Sequence, residues 1–498
     1  MQSNGYIQGI DRKQLVLFPE AIDDYISAEN PVRFIDAFVE VLDMKSMNFT
    51  RSEPADTGRP PYDPRDLLKL YIYGYLNHIR SSRNLEKECM RNVEVMWIMK
   101  RLTPDFKTIA DFRKDNVGCI RKVFSEFVRL CDELDLFGKE LVSVDGTKFR
   151  AVNSKDRHFS AETLNERLKH IEERIERYLN EIDENDSSEE NITACNEGGD
   201  GSDDRVKRLN EKIEKLKEKK SEYEGLLTRM EVEGKTELSL TDADSRMMHN
   251  NGKLEVCYNV QTAVDSKNKL IADYDVTNAQ TDQNLLTPMV KGAMEMLGVE
   301  KINATADKGY NNFDEMKRCV DNHITAYVPE ANSSAKGSVR MKSGIPSPEF
   351  YQSKFKYDSA GDAYICPAGK RLEFWYWNDH QHGKRFGYYR TDACFACPFY
   401  KTKCTTSKNG RVVERWEHQE IIDEARARLR TEDGKKNFAL RKELSEHPFG
   451  TMKRAFNQGY LLLRGLKKVR GEVGFTMLAY DMRRAINIVG TAKLIETL

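Results

Sequence analysis

Apolar residues recur at helical spacing along the first part of the chain and give way near Leu141 to runs rich in β-branched side chains. After the breaker cluster Pro61–Pro64, Leu67, Leu68, Tyr71, Tyr75 and Leu76 fall on one face of a helix. A second amphipathic run extends from Ile120 to Leu134. Residues 1–137 are therefore expected to be a helical N-terminal region. Its short helices with basic residues between them suit a small DNA-binding domain and a plain helical bundle equally well, and no residue specifies a helix-turn-helix.

Beyond Leu141 the pattern predicts strands at 141–152 (LVSVDGTKFRAV), 254–265 (LEVCYNVQTAVD), 270–277 (LIADYDVT), 302–307 (INATAD) and 325–330 (TAYVPE). A helix is expected from Leu285 to Leu297, and another between the last two strands. Adjacent strands followed by alternating helices and strands predict an α+β or α/β fold, a mixed sheet covered by helices, over 138–498. Two segments interrupt it. In 160–235, Leu164, Leu168, Ile171, Ile175, Leu179 and Ile182, then Val206, Leu209, Ile213, Leu216, Tyr223, Leu227 and Met230, predict an antiparallel helical hairpin of coiled-coil character. The acidic, Gly- and Ser-rich stretch between the two runs predicts a flexible tip. The hairpin reads as a DNA-gripping or dimerising arm, or as a spacer. The second interruption, 335–430, holds four clustered cysteines and many aromatics.

Composition narrows the class. A chain of 498 residues with 39% hydrophobic and 32% charged positions is globular and multi-domain. No apolar run reaches membrane-span length and no signal peptide is read at the N-terminus, so a cytoplasmic protein is expected. The net charge of −1 argues against a general nucleic-acid binder. Charge is locally segregated, however: twelve Lys or Arg stand against four acids between Lys435 and Arg484. Such a stretch is a phosphate-binding surface or an ordinary solvated helix face.

Six of the ten cysteines stand singly (Cys89, Cys119, Cys131, Cys195, Cys257, Cys319) and read as small reduced hydrophobes. The other four, Cys366, Cys394, Cys397 and Cys404, include a Cys-x-x-Cys pair that places two thiolates on one side of a tight turn. They predict a structural zinc site, since four thiolates leave no open position for chemistry. The aromatics at 374–389 are expected to form a small core beside it, with stacking on unpaired bases as the other reading. Among the acids, Asp145 follows the apolar strand 141–144 and precedes Gly146, and Asp307 ends a short strand before Lys308-Gly309-Tyr310. Carboxylates at adjacent strand positions can hold Mg²⁺, which takes oxygen ligands. Each taken alone reads as a turn former.

The stretch Arg441 to Arg454 (RKELSEHPFGTMKR) joins these acids into one pattern. Here the chain resembles the DDE transposases of bacterial insertion sequences, and within them the branch with a Y-x2-R-x3-E-x6-K signature. Glu446 and Lys453 match its E and K positions. Lys442 stands at the Arg position, with Arg441 beside it, and Ala439 at the Tyr position. The strings DGTK, ADKGY, YNVQTAVD (258–265) and DADSR (242–246), with the cysteine knuckle, are typical of one subgroup. The resemblance covers most of the chain outside the 160–235 hairpin.

It implies a ribonuclease-H-like five-stranded mixed sheet, with Asp145 on the first strand, Asp307 on or after the fourth and Glu446 on a late helix. Asp145, Asp307 and Glu446 would then bind two Mg²⁺ or Mn²⁺ ions for phosphodiester hydrolysis and strand transfer. Lys453, Arg454, Lys442, Arg441 and Arg246 would contact DNA. The implied partners are double-stranded DNA (terminal inverted repeats and target) and a second copy in a synaptic dimer. The helical N-terminal region would bind the transposon ends. The competing readings are a nuclease or resolvase on the same fold, an inactive zinc-containing DNA-binding descendant, and a coiled-coil scaffold. Pro448 implies that a helix starts there or that a longer one kinks. His447 is placed near the site or simply packed. Asp242 and Asp244 are metal ligands or members of a hydrogen-bonded turn.

Overall fold

The computed structural model describes residues 20–53, 60–153, 157–192, 202–330, 346–380, 383–456 and 459–498. Six helices come first: α1 (Pro31–Glu40), α2 (Pro64–Leu76), α3 (Ser82–Arg91), α4 (Val93–Ile98), α5 (Phe106–Asn116) and α6 (Ile120–Glu133). Their starts are written in the sequence. Asn30 and Asp63 cap α1 and α2, each followed by Pro at the first helical position, where its missing N–H has no partner to lose. Asn92 and Asp105 cap α4 and α5 in the same way.

The central sheet begins with β1 (Leu141–Arg150). A small pair, β2 (His158–Ser160) and β3 (Glu237–Ser239), closes the root of a hairpin formed by α7 (Ala161–Ile192) and α8 (Ser202–Glu233). Then follow β4 (Arg246–Asn250), β5 (Lys253–Asp265), β6 (Ile271–Thr277), α9 (Leu286–Leu297), β7 (Ile302–Thr305), α10 (Phe313–Asp321) and β8 (Ile324–Tyr327). β4 and β6 pair with successive halves of one edge of the long β5, so six strands fill five positions. β5 runs antiparallel to β1 on its other edge, and β1, β7 and β8 are mutually parallel. The sheet is thus mixed, and all five expected strands and the 286–297 helix are present.

The second interruption is a separate antiparallel sheet: β9 (Lys356–Asp358), β10 (Ala363–Ile365), β11 (Arg371–His380), β12 (Lys384–Arg390) and β13 (Val413–Trp416), paired in chain order. The chain returns through α11 (Gln419–Arg430) and α12 (Glu432–Gly450), and ends in α13 (Leu466–Val489) and α14 (Thr491–Glu496). α12 runs straight through Pro448 and passes into an i→i+5 turn at Thr451–Ala455. The long helix, not a new start at Pro448, is what forms. Pro448 has no N–H to give the Leu444 carbonyl one turn before it, and the i→i+5 bond that follows runs from the Phe456 N–H to the Thr451 carbonyl.

α13 holds the molecule together. It is buried over most of its length between α2 and α6 on one side and β6 on the other. A Cβ at Gly471 would stand 2.2 Å from the Val117 carbonyl, and one at Gly474 would stand 2.3 Å from the Tyr274 hydroxyl, so only glycine allows this approach. One apolar core therefore runs from the N-terminal helices through α13 into the sheet. The fully buried Glu472 accepts hydrogen bonds from the Leu462 and Leu463 N–H groups and lies 3.7 Å from Arg80.

This burial divides the basic stretch 435–484. Arg470, Arg483 and Arg484 each donate to a main-chain carbonyl (Val276, Leu76 and Asn268), so its C-terminal part is structural glue and not one continuous phosphate-binding face. In the helical hairpin, Leu164, Ile171 and Met230 toward the root and Leu209, Ile213 and Leu216 further out are buried while Leu179 is 47% exposed, so the apolar seam runs along the hairpin with Leu179 off it. Both helices extend further into the acidic stretch than the pattern predicts. The remaining tip, 193–201 with Cys195, lies outside the described residues.

Candidate active site

β1 and β7 are parallel, and their register ends with Ser143 opposite Thr305. Asp145 stands two residues further along β1, and Asp307 two residues past the end of β7 as the cap of the next turn. Neighbouring strands lie about 4.8 Å apart, so the register sets the two acids near each other, close enough for the Asp307 charge to act on Asp145. β1 does not turn at Asp145-Gly146 but continues to Arg150 against β5, with Asp145 opposite Thr262. The turn-former reading of Asp145 is therefore wrong. For Asp307 it holds in part: its Oδ1 accepts from the Gly309 N–H at 2.7 Å and caps the single turn Lys308–Tyr310.

The charge state of the pair follows from its surroundings. Burial pushes the Asp145 carboxyl up to about 6, the Gly146 N–H pulls it down, and the Asp307 charge pushes it up again. The Ser445 hydroxyl and the Arg441 guanidinium, both contributed by α12, pull it back part of the way. Among the described residues neither Asp145 nor Asp307 forms an ion pair. Two hydroxyls around Asp145 are buried without a hydrogen-bond partner: Ser143, two residues before it on the same face, and Thr262 opposite it. Two repelling carboxylates flanked by orphaned hydroxyl oxygens fit a hard divalent cation and its water.

Glu446 follows the buried Ser445 but is itself exposed, and it shares no hydrogen bond with Asp145 or Asp307 among the described residues. Across the described residues, no three His, Cys, Asp or Glu side chains close on a point that could hold a metal ion. The geometry thus joins Asp145 to Asp307 and places Glu446 next to them in sequence on α12, without joining it to them.

Lys453 lies in the widened turn after α12. An i→i+5 turn advances less per residue than an α-turn, which rotates Lys453 away from the Glu446 direction toward the Ser445 face. Its Nζ donates to Thr147 Oγ1 at 2.5 Å and sits 5.6 Å above the Phe149 ring, on the Asp145 side of β1. Burial lowers its pKa, countered by Cys257 and Asp145 and reinforced by Lys148. Lys442 and Arg454 are exposed, and Arg441 lies over the Phe438 ring. Arg246 donates to the carbonyls of Ala243 and Ser245.

The opposite face of β1 carries a network that the residue pattern did not reveal. Tyr310 donates to Gln261 Oε1 at 2.5 Å, and Gln261 and Asn259 donate to Asp282 at 2.9 and 2.7 Å. Lys148 pairs with Asp282 at 3.1 Å. A Cβ at Gly146 would stand 2.0 Å from Gln261 Nε2, so the glycine after Asp145 makes room for this network. It links the strand bearing Asp145 to the turn that follows Asp307.

Other expectations resolve structurally. His447 packs between Tyr480 (2.9 Å) and Arg484 (3.3 Å), and burial, then Arg484, hold its pKa low. Arg484 donates to Nε2 and Tyr480 donates to the Lys269 carbonyl, so a neutral ring with its proton on Nδ1 satisfies every partner. Asp242 accepts from Tyr258 Oη and the Gly465 N–H, and Asp244 accepts from the Leu466 N–H, so both acids cap the start of α13.

In the inserted sheet, Cys366, Cys394, Cys397 and Cys404 line one pocket with Phe350 and Leu372. The Lys370 N–H points at Cys366 Sγ at 3.3 Å, and Gly369 takes the left-handed conformation that this turn requires. Burial raises the thiol of Cys394 and pushes that of Cys404 up to about 11. The aromatics were expected to be core, and most are not. The core of this sheet is Phe355, Tyr364, Leu372, Tyr389 and Val413, while Phe374, Trp375, Tyr376 and Trp377 are exposed.

Two family models match the chain. Residues 20–115 match one described as a transposase domain (DUF772), and residues 365–486 match one described as a transposase DDE domain. The second match takes in the four cysteines, Ser445, Glu446 and Lys453, while Asp145 and Asp307 lie outside both. No curated protein and no solved structure matches the chain. The chain carries a DDE transposase domain, that of a family of metal-dependent nucleases and strand transferases, which implies DNA transposition, DNA binding and divalent-metal catalysis. Among the described residues no helix is long and apolar enough to cross a membrane.

Proposed function

We propose that the protein is the transposase of an insertion sequence of the branch with the E-x6-K signature. On this reading it binds the element's terminal inverted repeats as a dimer, cuts at their ends and joins the freed 3′-hydroxyls to target DNA. The observation that carries the reading is the unneutralised carboxylate pair Asp145–Asp307, set by the parallel β1–β7 register under a helix from the matched DDE domain. The strand order β6-β5-β1-β7-β8, with three parallel strands, supports a ribonuclease-H-like sheet.

Divalent cations held there supply activation of the attacking oxygen and charge neutralisation of the leaving one. Asp145 and Asp307 would hold them, with Glu446, next to Ser445 on α12, as the proposed third ligand. Lys453, anchored on Thr147, offers an ammonium to a phosphate beside Asp145. Lys442, Arg441, Arg454 and Arg246 contact the DNA backbone. Residues 1–137 read as the end-binding region and 138–498 as the catalytic region. The four cysteines are proposed to bind a structural zinc ion, supported by their shared pocket and the Lys370 N–H aimed at one sulfur.

The test is Mg²⁺-dependent cleavage of a DNA carrying the element ends, by the wild type and by Asp145→Ala, Asp307→Ala and Glu446→Ala. Cutting by the wild type, and binding without cutting by each variant, is expected. A Glu446→Ala variant as active as the wild type would remove that residue from the site. Specific binding of the ends with no cutting by any form would favour an inactive DNA-binding protein.

A further inference from the structure

The four exposed rings of β11 stand on both faces of the β11–β12 strand pair of the inserted sheet, the wing. On one face Tyr376 stacks on Tyr388 (centroids 5.0 Å apart, planes at 7°), Trp375 meets Tyr376 edge to face, and the Arg390 guanidinium lies 4.4 Å from the Trp375 ring. A bulge between Phe374 and Tyr376 turns Trp375 out of the regular alternation. On the other face Phe374 packs on Trp377, Arg385 lies 5.0 Å from the Trp377 ring, and the opposite residue, Gly387, leaves the ring nothing but backbone to rest on. Trp375 and Trp377 remain 45% and 41% exposed. A sheet whose own core is five side chains has no folding reason to leave two tryptophans in water.

We propose that this wing is a stacking surface for unpaired nucleotides of a DNA strand. Exposed flat rings with arginines laid over them are suited to base faces and phosphates together. Duplex DNA hides its base faces within the stack, so the rings select strands that have come apart. Among the described residues, Arg385 and Arg390 beside the rings pair only with the exposed Asp379 and Asp392, contacts in water that a phosphate can replace. The wing is also rooted on the helix that follows Asp307 in the chain. Lys384 pairs with Asp314 at 2.8 Å, and Phe386 and Trp416 pack on Phe313, all on the first residues of α10, which starts six residues after Asp307. On this proposal a strand parted at Asp145 and Asp307 passes the start of α10 to reach the rings. This inference rests on the transposase reading for the source of the strand, and on the wing alone for the binding.

The wild type, Trp375→Ala/Trp377→Ala and Trp375→Phe/Trp377→Phe are titrated against a labelled oligothymidylate by anisotropy, with tryptophan emission followed in the wild type. Of the four tryptophans, Trp416 is buried and Trp97 is held by Asp23, so quenching reports mainly on the wing. Quenching is expected in the wild type. A loss of affinity of about 10-fold or more is expected in the alanine variant, and near wild-type binding in the phenylalanine variant, which keeps rings of similar stacking capacity. Equal affinity in all three forms, or binding without quenching, overturns the proposal. So does a wild-type dimer in sedimentation that only the alanine variant loses, since the rings would then cover a second copy. End cleavage by the same preparations separates the two readings. Ends cut normally with wing-independent oligonucleotide binding sink the stacking surface alone, and wing-dependent binding with no end cleavage sinks the transposase reading alone.

Discussion

The molecule contains two sheets of five positions that solve opposite problems. The central sheet is covered on both faces, and its strands β5 and β6 are buried almost throughout. The inserted sheet, β9 to β13, buries five side chains as its core and leaves four aromatic rings in solvent. A sheet with so little apolar burial needs another source of stability, and four cysteines around one pocket can supply it. The central sheet instead buries its strands on both faces and carries the Asp145 carboxyl at the cost of burial. Order comes from packing in the central sheet, and on the proposed zinc reading it would come from a metal cross-link in the inserted one.

The sharpest way to break this contrast is at Asp145. Asp145→Asn should lower end cleavage by roughly 10³-fold or more, about 4 kcal/mol of transition-state stabilisation, in a single-turnover assay. The same change should raise the melting temperature of the metal-free protein at neutral pH. The sign follows from linkage: the folded pKa of about 6 lies above the ordinary value of 3.8, so Asp145 costs nothing below about pH 4. Its cost grows as pH rises through that window and is complete above about 6. Melting scans from pH 4 to 8 should show wild type and variant converging in acid and separating toward neutrality, with Mg²⁺ closing the gap. Parallel curves at all pH values would mean that Asp145 is not strained.

The next effect belongs to the inserted sheet. Cys394→Ser should release about one zinc per chain, measured by mass spectrometry of the metal. It should also expose 346–416 to protease while the central sheet stays protected. Because the thiols of Cys394 and Cys404 are held high, metal loading should release protons and weaken as pH falls. Retention of metal and of protease resistance would remove the cross-link from the comparison.

A smaller change tests the link between α12 and the central sheet. Lys453→Met should reduce cleavage about 10- to 100-fold, the range of one charged hydrogen bond, with little change in melting temperature. The smallest effect separates seam from surface in the helical hairpin. Leu164→Ala, at a fully buried position, should cost about 2–5 kcal/mol in denaturant melts, whereas Leu179→Ala should stay within about 0.5 kcal/mol.

The central sheet was legible because its signals are local: strands rich in β-branched residues, breakers between them, and caps before helices. Asp145 and Asp307 could be picked out at strand ends, but their proximity comes from the β1–β7 register, which no single-strand pattern contains. Ser143, Thr262 and Ser445 escaped notice because a serine or threonine in a strand or helix has no signature until its neighbours are known. Glu446 came from a resemblance, and its side chain is not joined to the pair. The aromatic run 374–377 misled because consecutive large rings suggest burial. A bulge and a thin sheet, neither visible in hydropathy, put them in solvent. The basic stretch 435–484 misled for a similar reason, since a helix buried on all sides can turn its arginines to backbone carbonyls.

The position of α13 also sets when the molecule can exist during synthesis. Until residues 466–489 have left the ribosome, α2, α6 and β6 lack the helix that joins them, and the glycine contacts at Gly471 and Gly474 cannot form. A chain interrupted before that point would present open apolar faces to the cell's proteases and chaperones, not a partly working DNA binder. Frameshifts and premature stops upstream of residue 466 should therefore yield degradation products rather than truncated competitors for the element's ends.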